Sequence, residues 1–320
     1  MRVFLAGASG ALGLRLVPQL IDAGHAVVGT YTKDAKAPQL EALGAEAVHL
    51  DLLDRDAVRR AVAAARPDAI VHQATALADA KFGRGGFDRT FARTNRLRTE
   101  GTDSLLAAAA ESGVRRFVAQ SFASFRCIRE GGPVKTEDDP LDPNPPSSMR
   151  ETHAAMKHLE DATLAAGGIA LRYGGFYGAP NDGLIVPIRK RMAPIVGDGG
   201  GIWSFVHLDD AAAATVLALQ HDGPAVYNIV DDDPAPVREW LPVAAKALGA
   251  PPPRHLPAWL ARLVGGEFAV VTGTTARGAS NAKAKRELGL TLRYPSWRTG
   301  FAAVYGADGA AASSLQPVAS

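Results

Sequence analysis

The chain has 320 residues, 47% of them hydrophobic and 21% charged, ample for a buried core and usual for a globular protein. A formal net charge of +2 gives neither nucleic acid nor an anionic membrane an electrostatic claim as obligatory partner. The single cysteine, Cys127, excludes an intrachain disulfide and a thiolate metal cluster. The opening run MRVFLAGASGALGLRLVPQL is broken by Ser9 and glycines, unlike a signal peptide, and no stretch reaches the ~18 apolar residues of a membrane span. A cytoplasmic protein is expected.

Strand-like runs alternate with helical stretches through the first half. In chain order the strands are RVFLAG, AVVGTY, AEAVHLD, DAIVHQA, RRFVAQS and IALRYG, with helices such as ALGLRLVPQLIDAG and DRDAVRRAVAAAR between them. Continuous apolar strands separated by helices predict a parallel sheet covered on both faces. Right-handed crossovers then make it a doubly wound α/β Rossmann fold. The rhythm changes near residue 175. Residues 1–175 are expected to form the dinucleotide-binding domain, with AVYNIV near 225–230 returning to its sheet, and 176–305 mainly a smaller substrate domain. EGGPVKTEDDPLDPNPPSS is read as a long loop rich in proline and acid, and the tail 306–320 as disordered.

RVFLAGASGALG sets Gly7, Gly10 and Gly13 directly after the first strand and at the start of a helix. Glycines at this spacing serve a tight turn, a backbone approach to diphosphate, and close packing of helix on strand. The helix N-terminus then favours the anion. Strand, loop and helix together predict a nicotinamide dinucleotide site, with Ser9, Ala11 and Leu12 completing the loop. At the end of the second strand an NAD site usually carries an acid for the ribose hydroxyls. Here Thr32 and Lys33 follow Tyr31, a pair suited to a 2′-phosphate. NADP is the predicted cofactor and NAD the alternative. Asp51 and Leu52, closing AVHLDL, are placed beside the adenine.

These features, with VHQAT at 71–75, Gly101-Thr102, LRYGGFYGAP and WSFVHLDDAAAA, resemble the extended short-chain dehydrogenase/reductase superfamily of the NAD-dependent epimerase/dehydratase type, over roughly residues 1 to 305. The resemblance implies that Gln73, Ala74 and Thr75 line the cofactor, that Ser121 ends the fifth strand, and that Tyr173 and Phe176 lie near the nicotinamide. It gives Tyr177 and the 205–210 stretch structural roles. Gly175 stands where members acting on nucleotide-linked sugars tend to carry asparagine, which argues against such a substrate.

In that superfamily a Tyr-x-x-x-Lys pair on the helix at 149–162 exchanges the proton beside the hydride and holds the ribose. None of the tyrosines here is followed by a lysine four residues on. Counting back from Gly167 puts Thr152 and Met156 at the two positions, with Glu160 as the following acid. A shift by one gives His153 and Lys157, followed by Asp161; counting forward from the proline-rich loop gives Ser147 and Glu151. His153 and Lys157 are the one combination with a proton donor and a cation, and both also suit a solvated face. Ser121 is the stronger single candidate, with Ser124 as fallback.

Arg84, Arg89, Arg93, Arg96 and Arg98 could receive an anionic substrate but suit a solvated helix face better, being interleaved with Asp88 and Glu100. Asn95 reaches the active site if it follows its relatives. The histidines lack ligand spacing, so no metal is expected. These readings predict an NADP(H)-dependent oxidoreductase acting on a small organic carbonyl or related group. The alternatives are a nucleotide-sugar epimerase or dehydratase and a non-catalytic NADPH-binding regulator. TEGTDSLLAAAAES and the helix at 149–166 are expected to build a homodimer contact.

Overall fold

The computed structural model describes residues 1–77, 86–179 and 183–306; the expectations for Arg84 and for the tail from 307 onward lie outside them. Seven strands, β1 (Arg2–Ala6), β2 (Ala26–Tyr31), β3 (Glu46–His49), β4 (Ala69–His72), β5 (Arg116–Phe122), β6 (Ile169–Tyr173) and β7 (Ala225–Ile229), form one sheet in the order β3-β2-β1-β4-β5-β6-β7. Every pairing is parallel, with Phe4 opposite both Val28 and Ile70, and Leu171 opposite both Gln120 and Tyr227. All six runs read as strands in the first half belong to this sheet, and AVYNIV supplies β7 at its edge.

Alternate residues of each strand feed two different cores, which is why the strands read as unbroken apolar runs. Val3, Leu5, Val71 and Leu171 face α1 (Gly13–Asp22) and α6 (Leu208–Ala218). Phe4, Ile70, Phe117 and Ala119 face α2 (Arg55–Ala65), α4 (Thr102–Glu111) and α5 (Arg150–Ala165). Leu16 and Leu20 on α1 are wholly buried, so truncating either to alanine should cost ~2–5 kcal/mol. Beyond β6, a further core gathers Tyr177, Phe205, Trp240, Trp297 and Phe301. The short strands Gly175–Tyr177 and Phe205–His207 pair in parallel across it. Among the described residues no helix is long and apolar enough to cross a membrane.

Strand order reverses between β1 and β4, so the loops leaving their carboxyl ends part and open a crevice there. Ligands of doubly wound sheets sit in that position.

Candidate active site

The loop after β1 is shaped by its glycines. Gly7 has φ +89°, and a Cβ on it would stand 2.7 Å from the Ala74 backbone, so the loops after β1 and β4 touch there. A Cβ on Gly13 would lie 2.3 Å from the Ala8 carbonyl oxygen, which fixes how closely α1 packs on β1. Gly7 N–H is held by the Thr30 hydroxyl at 3.0 Å. The first turn of α1 carries no acidic residue and no side-chain cap, leaving a helix start suited to an anion.

A groove runs from this loop across the ends of β2, β3 and β4. Gly7, Ser9 and Gly10 form one wall, Thr32 and Lys33 the next, and Asp51 and Leu52 the third. Gln73, Ala74 and Thr75 close it. The groove therefore gathers most residues that the sequence assigns to the cofactor; Ala11, Leu12 and Gly13 follow in the loop and helix start without lining it, Ala11 exposed and the other two buried. It also recruits Lys36 and Arg93, which sequence reasoning did not assign to the cofactor. Arg93 Nη2 donates to Asp51 at 3.0 Å, so this member of the arginine series faces the groove and not bulk solvent alone. A dinucleotide fits this cradle: backbone closeness at Gly7, an uncapped helix start, and cations at the rim.

The end of β4 is pinned by His72, whose Nε2 meets the Leu97 carbonyl at 3.1 Å. Burial lowers its pKa to about 4, so the ring is neutral at physiological pH. Next to it, Gln73 Nε2 donates to the Tyr173 hydroxyl at 3.2 Å. Thr215 gives its own proton to the Ala211 carbonyl, so Tyr173 donates to Thr215 at 2.6 Å. Tyr173 is fully buried, and burial raises its pKa. It belongs to the core between the sheet, α1 and α6, with the Phe176 ring 5.3 Å away, and its hydroxyl proton is committed to Thr215.

Helix α5 carries the candidates for proton transfer. Its start has no cap of its own in sequence; Asp88, on α3 (Gly86–Arg96), accepts from the Glu151 and Thr152 amides at 3.2 and 2.9 Å. The side turned inward carries Thr152, Met156 and Glu160, four residues apart, all at most 3% exposed. Thr152 Oγ1 donates to Asp88 at 2.7 Å and accepts from Asn95 at 3.0 Å. Asn95 thus reaches this helix from α3.

The structure does not unite His153 and Lys157 as acid and cation. Lys157 is 60% exposed and paired with Asp161 at 2.5 Å. His153 is buried; burial, then Arg126, lowers its pKa to about 4, so it stands as a neutral imidazole and not an imidazolium acid at neutral pH. Ser121 is likewise withdrawn. Its hydroxyl donates to Glu160 at 2.5 Å and accepts from Arg126 at 3.0 Å. Glu160 also receives Arg126 directly and a two-pronged contact from Arg172 at 3.0 and 2.8 Å. Burial alone would raise the Glu160 pKa, but Arg126 and Arg172 overcome it and hold it at about 2. Arg98 lies buried nearby, its pKa lowered to about 10 by burial and by Arg126. Ser124, the fallback, is 3% exposed. The 205–210 stretch closes the fold: Asp210 accepts from the Arg293 and Tyr294 amides.

Residues 3–230 match the model of the family described as NAD dependent epimerase/dehydratase. The chain belongs to that family. It is an enzyme of the extended short-chain dehydrogenase/reductase class, of oxidoreductase or epimerase type. It is 42% identical over 310 residues, 94% of this chain and 99% of the relative, to a 3-diazoavenalumate denitrifying reductase from a Streptomyces species. Identity to the 2-alkyl-3-oxoalkanoate reductase of Stenotrophomonas maltophilia is 30% over 269 residues, 78% of this chain and 77% of that one. A solved Thermus thermophilus UDP-glucose 4-epimerase in complex with NAD shares the fold, with a TM-score of 0.72, 23% identity, and coverage of 97% and 98% of the two chains.

Proposed function

We propose that the chain is an NADP(H)-dependent reductase that delivers hydride to a small organic electrophile without a side-chain acid beside it, and that the electrophile is an arenediazonium. One observation carries this reading: the inward positions of α5 hold no available proton. The Thr152 hydroxyl is committed to Asp88, and Met156 has none. Neutral His153 and surface-paired Lys157 do not replace them.

The bound nicotinamide supplies the hydride. Reducing a carbonyl leaves an alkoxide that an acid must protonate. A denitrifying reduction does not. Hydride forms the new C–H bond while the C–N bond breaks, and its electron pair leaves with dinitrogen; Ar–N2+ and NADPH give Ar–H, N2 and NADP+ with no proton consumed. The relative named for that reaction, alike over nearly the whole chain, supports this substrate class. The phosphorylated cofactor is supported by the groove's rim, where Thr32, Lys33, Lys36 and Arg93 stand and no carboxylate lies between Thr30 and Lys33.

Cofactor deuterated at C4 tests the reading. Deuterium should enter the arene C–H as dinitrogen is released, with none entering from D2O. Label arriving from D2O refutes it, and cofactor binding with no oxidation by any arenediazonium or carbonyl points instead to a non-catalytic regulator.

A further inference from the structure

Beyond the carboxyl end of β5 the chain assembles four aromatic rings from separate segments. Phe122 ends the strand, Phe125 lies in the loop after it, Trp203 comes from the strand Ile202–Trp203, and Phe268 from the helix Ala258–Thr274. The Phe125 ring is 5.8 Å from Phe122, 4.9 Å from Trp203 and 6.1 Å from Phe268, near edge-on to the last two at 70° and 88°. All four are only half-buried, unlike Phe205, Trp297 and Phe301 in the core behind them. Trp203 joins the two groups, its ring 4.9 Å from Trp240 and its Nε1 donating to the Thr272 carbonyl at 2.9 Å.

Phe125 is held unusually. Its φ is +63°, in the left-handed region that a bulky L-residue seldom enters. One contact ties this turn to the strand end: Arg126 Nη1 reaches the Phe122 carbonyl at 3.3 Å. Backbone strain of this kind persists only where its surroundings enforce it, and it collects at ligand-handling sites. Here it turns an aromatic ring out of the sheet's core and toward Trp203 and Phe268.

We propose that Phe122, Phe125, Trp203 and Phe268 seat the planar aromatic part of the substrate. The inference rests on the reductase reading above and specifies its substrate class. Edge-on rings offer a flat guest both faces and edges, and an electron-poor arene gains most from that geometry. A sugar would bring hydroxyls that four apolar rings cannot satisfy.

The test is binding, read on the full chain with saturating NADP+. The probes are 4-methylbenzoate and trans-4-methylcyclohexanecarboxylate, which share charge and outline but differ in planarity and π-surface. The aromatic acid should quench tryptophan emission saturably and bind about five- to tenfold more tightly by calorimetry than the saturated acid. Trp203→Phe should remove most of the quench. Phe125→Ala and Phe268→Ala should weaken the aromatic acid about tenfold or more while leaving the NADP+ Kd unchanged. Phe268→Leu keeps apolar volume without the ring and should show the same loss if the alanine variant misfolds. Equal affinity for the two acids, no aromatic binding at millimolar dose, or less than a twofold loss in Phe268→Leu overturns the proposal. Aromatic binding that follows this pattern without turnover of any arenediazonium leaves the seat standing and defeats the reductase reading alone.

Discussion

Replacing Glu160 by glutamine keeps the size of the side chain and removes the charge shared by two buried guanidiniums. Arg126 is 1% exposed and Arg172 7%, and Nε and Nη2 of Arg126 already lack a hydrogen-bond partner among the described residues. Lowering the Glu160 pKa from an ordinary 4.5 to about 2, against the burial that would raise it, is worth about 3 kcal/mol. Removing one partner of a buried ion pair costs ~3–5 kcal/mol, the same order. A carboxylate whose pKa falls on folding contributes fully above its unfolded value and loses that contribution as pH drops toward the folded one. The deficit of Glu160→Gln should therefore be about 3 kcal/mol at pH 7.5 and should shrink progressively below pH 4.5. Urea unfolding followed by circular dichroism at both pH values measures it. A deficit under ~1 kcal/mol at pH 7.5, or one that does not change with pH, would refute the network as described. Combining Glu160→Leu with Arg126→Met and Arg172→Met should recover part of the loss, because neither guanidinium is then left buried without its carboxylate.

Three further outcomes follow from the geometry. Gly266 interrupts the helix Ala258–Thr274 at φ +69°, ψ −168°, with nothing near its missing Cβ, so Gly266→Ala should cost ~1–3 kcal/mol by backbone strain alone, read as a lower urea midpoint. Lys33→Glu should raise the NADPH Kd about tenfold or more and barely alter NADH; equal effects would remove the argument for the phosphorylated cofactor. His153 has its pKa lowered below the unfolded value, so its contribution to stability is complete above pH 6.5 and fades as pH falls toward 4; the rate of hydride transfer should show no inflection from this group between pH 6 and 8, and carbon-13 NMR of labelled histidine should find it neutral there.

The sheet was legible because its signals are local. Phe4 and Leu5 point to opposite faces and both meet a core, so an unbroken apolar run between glycine turns already implies a strand covered twice. Gly7 and Gly13 declared themselves by spacing, and the contacts of their absent Cβ atoms give the reason. Helix α5 was harder to read. Thr152, Met156 and Glu160 repeat every four residues, and so do His153, Lys157 and Asp161; periodicity alone cannot choose between the two series. The choice is made by residues distant in sequence: Asp88 capping the helix, and Arg126 reaching Glu160 from an irregular loop. Ser121 was misjudged for the same reason. A serine at a strand end looks available until its two partners, 5 and 39 residues away, are seen to take its proton and one of its lone pairs.

That occupancy has a consequence for selectivity. A positioned general acid is worth ~10²–10⁴ in rate, and on the reading proposed above α5 supplies none. A ketone in this site would have to draw its proton from water as negative charge grows on oxygen. An arenediazonium places no such demand, since the departing dinitrogen carries off the electron pair. With comparable binding, diazonium turnover should therefore exceed carbonyl turnover by about the factor a missing acid withholds. Parity between the two substrates would mean that a donor outside α5 serves the site, and the search for it would begin at Ser124, buried between Phe122 and Phe125 at the end of β5.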